Sequence, residues 1–321
     1  MARILYNQWP SILSCCGARE LLAFVCTSSA GYSVRLNPAA LVIEQTSLHD
    51  ACFDHHFGEI RLLLDHAADA NSICDGMSAL QLSCASSHPC AVEAVEYLLF
   101  YSADVNLADA ESNMKTPLMM AVHYGNIPVV QLLLESGADV NAVMFFEHGH
   151  QCNGCSALML STCTPDLQTR SDMEAVEMAC LLIDARANVR AYRFDGANAL
   201  ILACRGGLLS LSTLLLNVGA WIWGPDDSAL LHAVEGGHES VVELLLARDP
   251  EQPAPIDADE DGQVHRDCLI RAAAAGHASI VRALLHGGFA DTNSRARDVA
   301  EQNGHEAVVE LLCCPSTASA S

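Results

Sequence analysis

The chain has 321 residues, 51% of them hydrophobic, so it can bury a large core. Acidic residues outnumber basic ones by 39 to 16, for a formal net charge of −23. Such a surface repels phosphate backbones and anionic membranes, which argues against nucleic-acid and membrane ligands and favours a protein partner with a basic patch.

From the N-terminus, residues 1–45 carry one short apolar run, Leu21 to Cys26, shorter than a signal-peptide core. No stretch of about 18 apolar residues follows that would predict a membrane-spanning helix. The 15 cysteines are scattered, and Cys84, Cys163, Cys180 and Cys204 sit inside apolar runs. They read as reduced thiols packed as small core residues, so the expected compartment is the cytoplasm or the nucleus.

From residue 46 a pattern recurs: a small polar residue, a spacer, a leucine, then a small residue three positions on. It appears at Thr46 with Leu48 and Ala51, Ser78 with Leu80 and Ser83, and Thr116 with Leu118 and Ala121. It returns at Ser156 with Leu158 and Ser161, Asn198 with Leu200 and Ala203, Ser228 with Leu230 and Ala233, and Asp267 with Leu269 and Ala272. The marker leucines fall 32, 38, 40, 42, 30 and 39 residues apart. A Ser, Thr, Asn or Asp before an apolar run predicts a capped helix start, and Pro117 suits a first helical turn. A leucine and a small residue at i+3 share one helix face and allow a neighbouring helix to approach closely.

Each predicted helix stops at a turn, often at glycine, as at Gly125, Gly207, Gly237 and Gly276. A second amphipathic helix follows, as in Pro128 to Leu134 and Ser240 to Leu246. Such short helices need stacked neighbours to be stable. The ends of the units, exemplified by Gly137-Ala138-Asp139-Val140-Asn141, combine a left-handed cap with turn-forming Asx residues.

Together, Thr116-Pro117-Leu118, Gly125-Asn126 and Gly137 to Asn141 resemble one ankyrin repeat. Ser228 to Leu246, with Gly237-His238, resembles another. Ala296-Arg297-Asp298-Val299-Ala300 with Gly304-His305 resembles a last repeat. The resemblance covers roughly residues 46–312, about eight units. It implies an all-α helical solenoid with hairpin or loop fingers and a concave face that binds partner proteins. Residues 1–45 are then a candidate degenerate capping repeat, and residues 313–321 a disordered tail. A histidine typical of the family follows the marker leucine at His49 alone; Gln81, Met119, Met159, Ile201, Leu231 and Ile270 replace it. Those replacements predict loss of a hydrogen bond that braces the turn.

Few groupings suggest chemistry. His148, His150, Cys152 and Cys155 are zinc-type ligands within eight residues, but their spacing matches no standard zinc motif. Asp257 to Gly262 imitates the start of a calcium loop, yet Cys268 stands where a bidentate glutamate is required. Neither a phosphate loop nor a nucleophile motif is present, so no catalytic residue, enzyme activity or cofactor is expected.

Aromatic placement is more informative. Phe145 and Phe146, Tyr192 and Phe194, and Trp221 and Trp223 lie in three consecutive inter-repeat segments. His123 and Tyr124 end a first helix. These eight residues are the expected partner contacts, because large rigid side chains give much contact area. The expected function is a protein-interaction scaffold or adaptor. A narrower alternative is the substrate-recognition subunit of a ubiquitin ligase; no recruiting box fits after Leu312, so residues 1–45 would have to supply it. Another is a metal-binding regulator using the His148–Cys155 loop.

Overall fold

A computed structural model describes residues 47–313, apart from 87, 89, 109–113, 146–152, 163–170, 223–227, 249–262, 290 and 292–293. The described residues form sixteen helices and one short hairpin, in two compact units, Met1–Glu147 and His148–Ser321.

The first unit holds three helix pairs: α1 (Leu48–Phe53) with α2 (Phe57–Asp65), α3 (Ala79–Cys84) with α4 (Ala91–Phe100), and α5 (Pro117–Tyr124) with α6 (Ile127–Glu135). First helices pack in the order α1, α3, α5, and second helices in the order α2, α4, α6, giving two layers. Between the first two pairs, β1 (Ile73–Cys74) and β2 (Met77–Ser78) form an antiparallel hairpin.

The second unit holds five pairs: α7 (Ala157–Thr162) with α8 (Asp172–Asp184), α9 (Ala199–Arg205) with α10 (Leu209–Asn217), α11 (Ala229–Glu235) with α12 (Glu239–Arg248), α13 (Gln263–Ala275) with α14 (Ala278–His286), and α15 (Arg295–Gln302) with α16 (Glu306–Cys313). The same two-layer order holds.

The marker leucines explain the layers. All seven are buried, as is the small residue three positions after each. A larger side chain at Ala51, Ala121 or Ala203 would hold neighbouring helices apart, because protein interiors leave few voids. Caps set where the helices begin. Ser47 and Ser78 form reciprocal capping boxes with Asp50 and Gln81, and Thr116 accepts from the Met119 amide. One expected start moves: α13 begins at Gln263, so Asp267 lies inside the helix. Breakers lie on either side, at Gly262 and Gly276, and none lies between them.

Two polar ladders join the pairs. At the repeat ends of the first unit, the Asn71 side chain donates to Ser102 O (3.1 Å) and accepts from the Asp104 amide (2.7 Å). Asn106 likewise accepts from the Asp139 amide (2.8 Å). Within each ending the aspartate caps the turn, as Asp69 does for the Asn71 amide. The aspartate therefore shapes its own turn, while the asparagine reaches the next repeat.

The second ladder joins the turns inside the pairs. In three pairs a residue at the start of the second helix reaches back to the previous turn. Asn126 donates to Ser86 O (2.7 Å), His238 bonds Arg205 O (3.1 Å), and His305 bonds Ala274 O (3.1 Å). The imidazole also lies on the previous turn's glycine. A Cβ on Gly207 would stand 2.4 Å from His238, and one on Gly276 would stand 2.6 Å from His305. Both glycines have left-handed φ, +69° and +75°, so sterics and backbone conformation each demand glycine. In the first pair His55, at φ +59°, occupies the glycine position, and its ring stacks on His88 at 5.3 Å.

The bracing bond expected to be lost beside the marker leucines is kept at Gln81. His49 Nε2 bonds Ser72 O (2.9 Å), and Gln81 Nε2 donates to Lys115 O (2.5 Å). An amide offers a donor at similar reach, and its oxygen completes the capping box.

The nine described cysteines are free thiols, and Cys52, Cys84, Cys155, Cys204 and Cys268 are buried. Burial disfavours the thiolate and pushes Cys52 up to about 11 and Cys204 up to about 12. Cys84 moves in the same direction for the same reason.

Two outcomes are expected. Gly207→Ala destabilises the protein by roughly 1–3 kcal/mol in urea unfolding, combining left-handed strain with a clash against His238. In a His238→Ala background the same change costs less, because only the backbone term remains. Alkylation of native protein at pH 8, followed by peptide mass analysis, leaves Cys52, Cys84 and Cys204 unmodified and labels the exposed Cys74; denaturant makes all four react.

Candidate functional site

In the second unit the segment before α9 is built to present rings. Asn198, fully buried, caps α9 through the Ile201 amide and donates to Trp221 O (2.9 Å). Arg190 Nε donates to Gly219 O (3.0 Å), and its guanidinium lies 5.4 Å from the Trp221 ring centre. Tyr192 tilts against the same ring, with centroids 6.0 Å apart, and its backbone is bridged to Asn198. Trp221 is thereby fixed by backbone and ring contacts, yet remains 46% exposed.

Phe194 stands at the tip of a tight turn closed by Arg193 N→Ala197 O (2.8 Å) and Gly196 N→Arg193 O (3.1 Å). Its own amide donates to Asn153 O (3.0 Å). Gly154, at φ +82°, lets this turn approach: a Cβ there would lie 3.2 Å from both Arg193 Cα and the Phe194 amide. The Arg193 side chain is buried and pairs with Asp195, with Nε donating to Oδ1 at 3.0 Å. Burial opposes the charge on both partners. Their hydrogen bond and mutual attraction outweigh it, so the guanidinium is raised and the carboxyl lowered, and the pair stays charged near neutrality. With Arg193 turned inward, Phe194 is left 70% exposed.

In the first unit Phe145 is exposed on the segment after α6. At the end of α5, Tyr124 is exposed, and His123 packs edge-on against it at 5.2 Å. Sequence reasoning missed Phe53, 70% exposed at the end of α1. It stands five residues after its marker leucine, the same offset as His123, so the repeat register itself carried the signal. The equivalent positions in α9 and α11 are Arg205 and Glu235, and Glu235 pairs with Arg271. The first-helix ends thus carry a ring at Phe53 and His123 but not at Ala85 in the first unit, and a charge at Arg205 and Glu235 in the second.

Phe146 and Trp223 lie outside the described residues, as do His148, His150 and Cys152. Cys155 is described, buried beside the Arg193 guanidinium, where a cation would compete with a metal ion for the sulfur. Residues 1–45 and 314–321 also lie outside the described residues, while Cys313, expected to open the tail, ends α16. Among the described residues, no helix is long and apolar enough to cross a membrane.

Comparison with known proteins agrees with the helix pairs. The family model "Ankyrin repeats (3 copies)" matches residues 18–109, and "Ankyrin repeat" matches residues 113–144 and 265–297. The B-cell lymphoma 3 protein homolog of Mus musculus is 30% identical over 180 residues, covering 56% of this chain and 36% of that protein. The Homo sapiens ankyrin repeat and SOCS box protein 6 is 34% identical over 117 residues, covering 35% of this chain and 27% of that protein. The Homo sapiens Arf-GAP with coiled-coil, ANK repeat and PH domain-containing protein 3 is 40% identical over 74 residues, 23% of this chain and 8% of that protein. The similarity thus spans little more than a third of any of these relatives. Repeated helix pairs, Gly–His turns, Asp–Asn endings and matched segments lead to one statement: this chain belongs to the ankyrin-repeat family.

Proposed function

We propose that the chain is a protein-interaction module that holds its partner through the exposed aromatic residues of its inter-repeat segments and first-helix ends. The observation that carries this reading is the presentation of Phe194 and Trp221. A buried arginine paired with Asp195, a buried asparagine and a glycine contact hold two large rings that stay widely exposed, Phe194 at 70% and Trp221 at 46%. Both rings keep large exposed faces, and rigid aromatic side chains lose little entropy on binding. Tyr192, Phe145, His123 and Tyr124 extend the same reading, as does Phe53. Trp223 and Phe146 belong to it by sequence position.

The reading requires no catalytic step and no cofactor. The chain's charge favours a partner with a basic patch over nucleic acid or membrane. Its free thiols suit a reducing compartment such as the cytoplasm. The ubiquitin-ligase version would add a recruiting function to this binding one, and the likeness to the SOCS box protein covers too little of that protein to carry it.

Affinity capture from cell extract with mass spectrometry tests the proposal. Partners held by the wild type are expected to be lost or strongly depleted with a Phe194→Ala/Trp221→Ala double variant whose circular dichroism and melting are unchanged. Asp195→Asn, which alters no ring but removes the Arg193 partner, is expected to deplete the same partners less severely. Retention of the full partner set by the double variant sinks the proposal. For the His148–Cys155 loop, elemental analysis of protein purified in reducing buffer is expected to find no stoichiometric zinc. One zinc per chain that Cys155→Ala abolishes would instead favour the metal-binding alternative.

A further inference from the structure

A second aromatic cluster lies in the other helix layer, on α2 and α4 of the first unit. Phe57 meets Tyr97 edge-on at 6.0 Å, and Tyr97 stacks with Phe100 at 6.3 Å and tilts against Tyr101 at 5.3 Å. Asp65 accepts hydrogen bonds from both tyrosine hydroxyls, at 2.5 and 2.7 Å, and Arg61 lies 5.8 Å from the Tyr97 ring centre. These contacts lock Tyr97 and Tyr101 in place. They leave Phe100, at 78%, the most exposed large hydrophobic residue among those described. A phenylalanine so exposed beside three fixed rings is a preformed apolar platform rather than an isolated surface residue. The proposed finger contacts use none of these residues.

The charges around the platform identify what fits it. Glu93 and Glu96 are exposed on α4, and Glu135 is exposed on the neighbouring α6. The nearby cation, Arg61, already faces Tyr97 and lies 3.9 Å from Asp65. The rim is therefore acidic, on a chain whose net charge is −23. A second copy of this chain would bring the same carboxylates against themselves, and like charges across an interface oppose association. We infer that the α2–α4 face of the first unit is a separate docking surface for a basic amphipathic segment of another protein. In it, an apolar side chain covers Phe100, and flanking arginines or lysines meet Glu93 and Glu96. Arginine suits this surface best, because its planar group can stack on the exposed ring while pairing with a carboxylate.

The test uses the full chain and a fluorescein-labelled peptide of leucine and arginine in helical register, with a leucine–glutamate peptide as its counterpart. Fluorescence anisotropy at physiological salt is expected to show saturable binding of the arginine peptide only. Phe100→Ser and the Glu93→Gln/Glu96→Gln double variant are each expected to weaken it at least tenfold. Phe194→Ala/Trp221→Ala leaves it unchanged, which separates this surface from the proposed finger site. Phe100→Ser should leave melting unaltered, since the side chain is in water. Binding by Phe100→Ser as tight as wild type overturns the inference. So does equal binding of the glutamate peptide. A dimer in light scattering that Phe100→Ser dissociates would assign the face to a second copy and also overturns it. So would a lowered melting temperature for Phe100→Ser without peptide binding, which would mean that the chain covers the face itself.

Discussion

The structure depends on a contact between consecutive turns. At three turns a backbone carbonyl faces the next helix pair, and a side chain from that pair satisfies it: Asn126 at Ser86, His238 at Arg205, His305 at Ala274. None of the short helices would persist alone. Burial of the marker leucines supplies most of the stabilisation, but burial is non-directional. The turn contacts and the Asn71 and Asn106 bridges set register, so that each leucine enters the correct gap.

That division of labour leaves other surfaces free to vary. Five and six places after a marker leucine the turn ladder uses only backbone carbonyls, and between the pairs the repeat-end ladder uses Asn71 and Asn106, so the other side chains at these places are held by neither ladder. They carry the chain's unusual features: Phe53 and Tyr124 in one unit, Phe194 and Trp221 in the other. Presentation there is nevertheless structured. The Arg193–Asp195 pair shows how a buried charge can serve display rather than stability: Arg193 turns inward, and its neighbour Phe194 faces solvent. A fold of this kind names a mode of binding and not a ligand.

Much of the architecture was legible because it repeats. Seven leucines at similar spacing, each followed by a small residue, predict both layers without knowledge of any contact. Departures from the repeat were harder to read. Gln81 looked like a loss because its residue type had changed, yet its amide reaches as far as the histidine's ring nitrogen. Asp267 looked like a cap because it preceded a leucine, but no breaker stood between Gly262 and Gly276 to start the helix there. The exposed ring at Phe194 could be placed in a finger by position, whereas its support by Gly154 and Asn153 could not. Those residues come from another repeat, and only folding brings them within reach. The Phe57–Tyr97–Phe100–Tyr101 cluster was hidden for a similar reason, because helical spacing of aromatic residues looks the same in a core and on a surface.

The turn ladder also has a direction. His238 and His305 reach back to carbonyls that precede them in the chain, never forward. During synthesis the N-terminal pairs leave the ribosome first. Both histidines therefore meet acceptors that have already been made, whereas His49, Asn71 and Gln81 reach forward and bond only once the following segment has emerged. Growth can proceed one pair at a time, each finished turn serving as the template for the next.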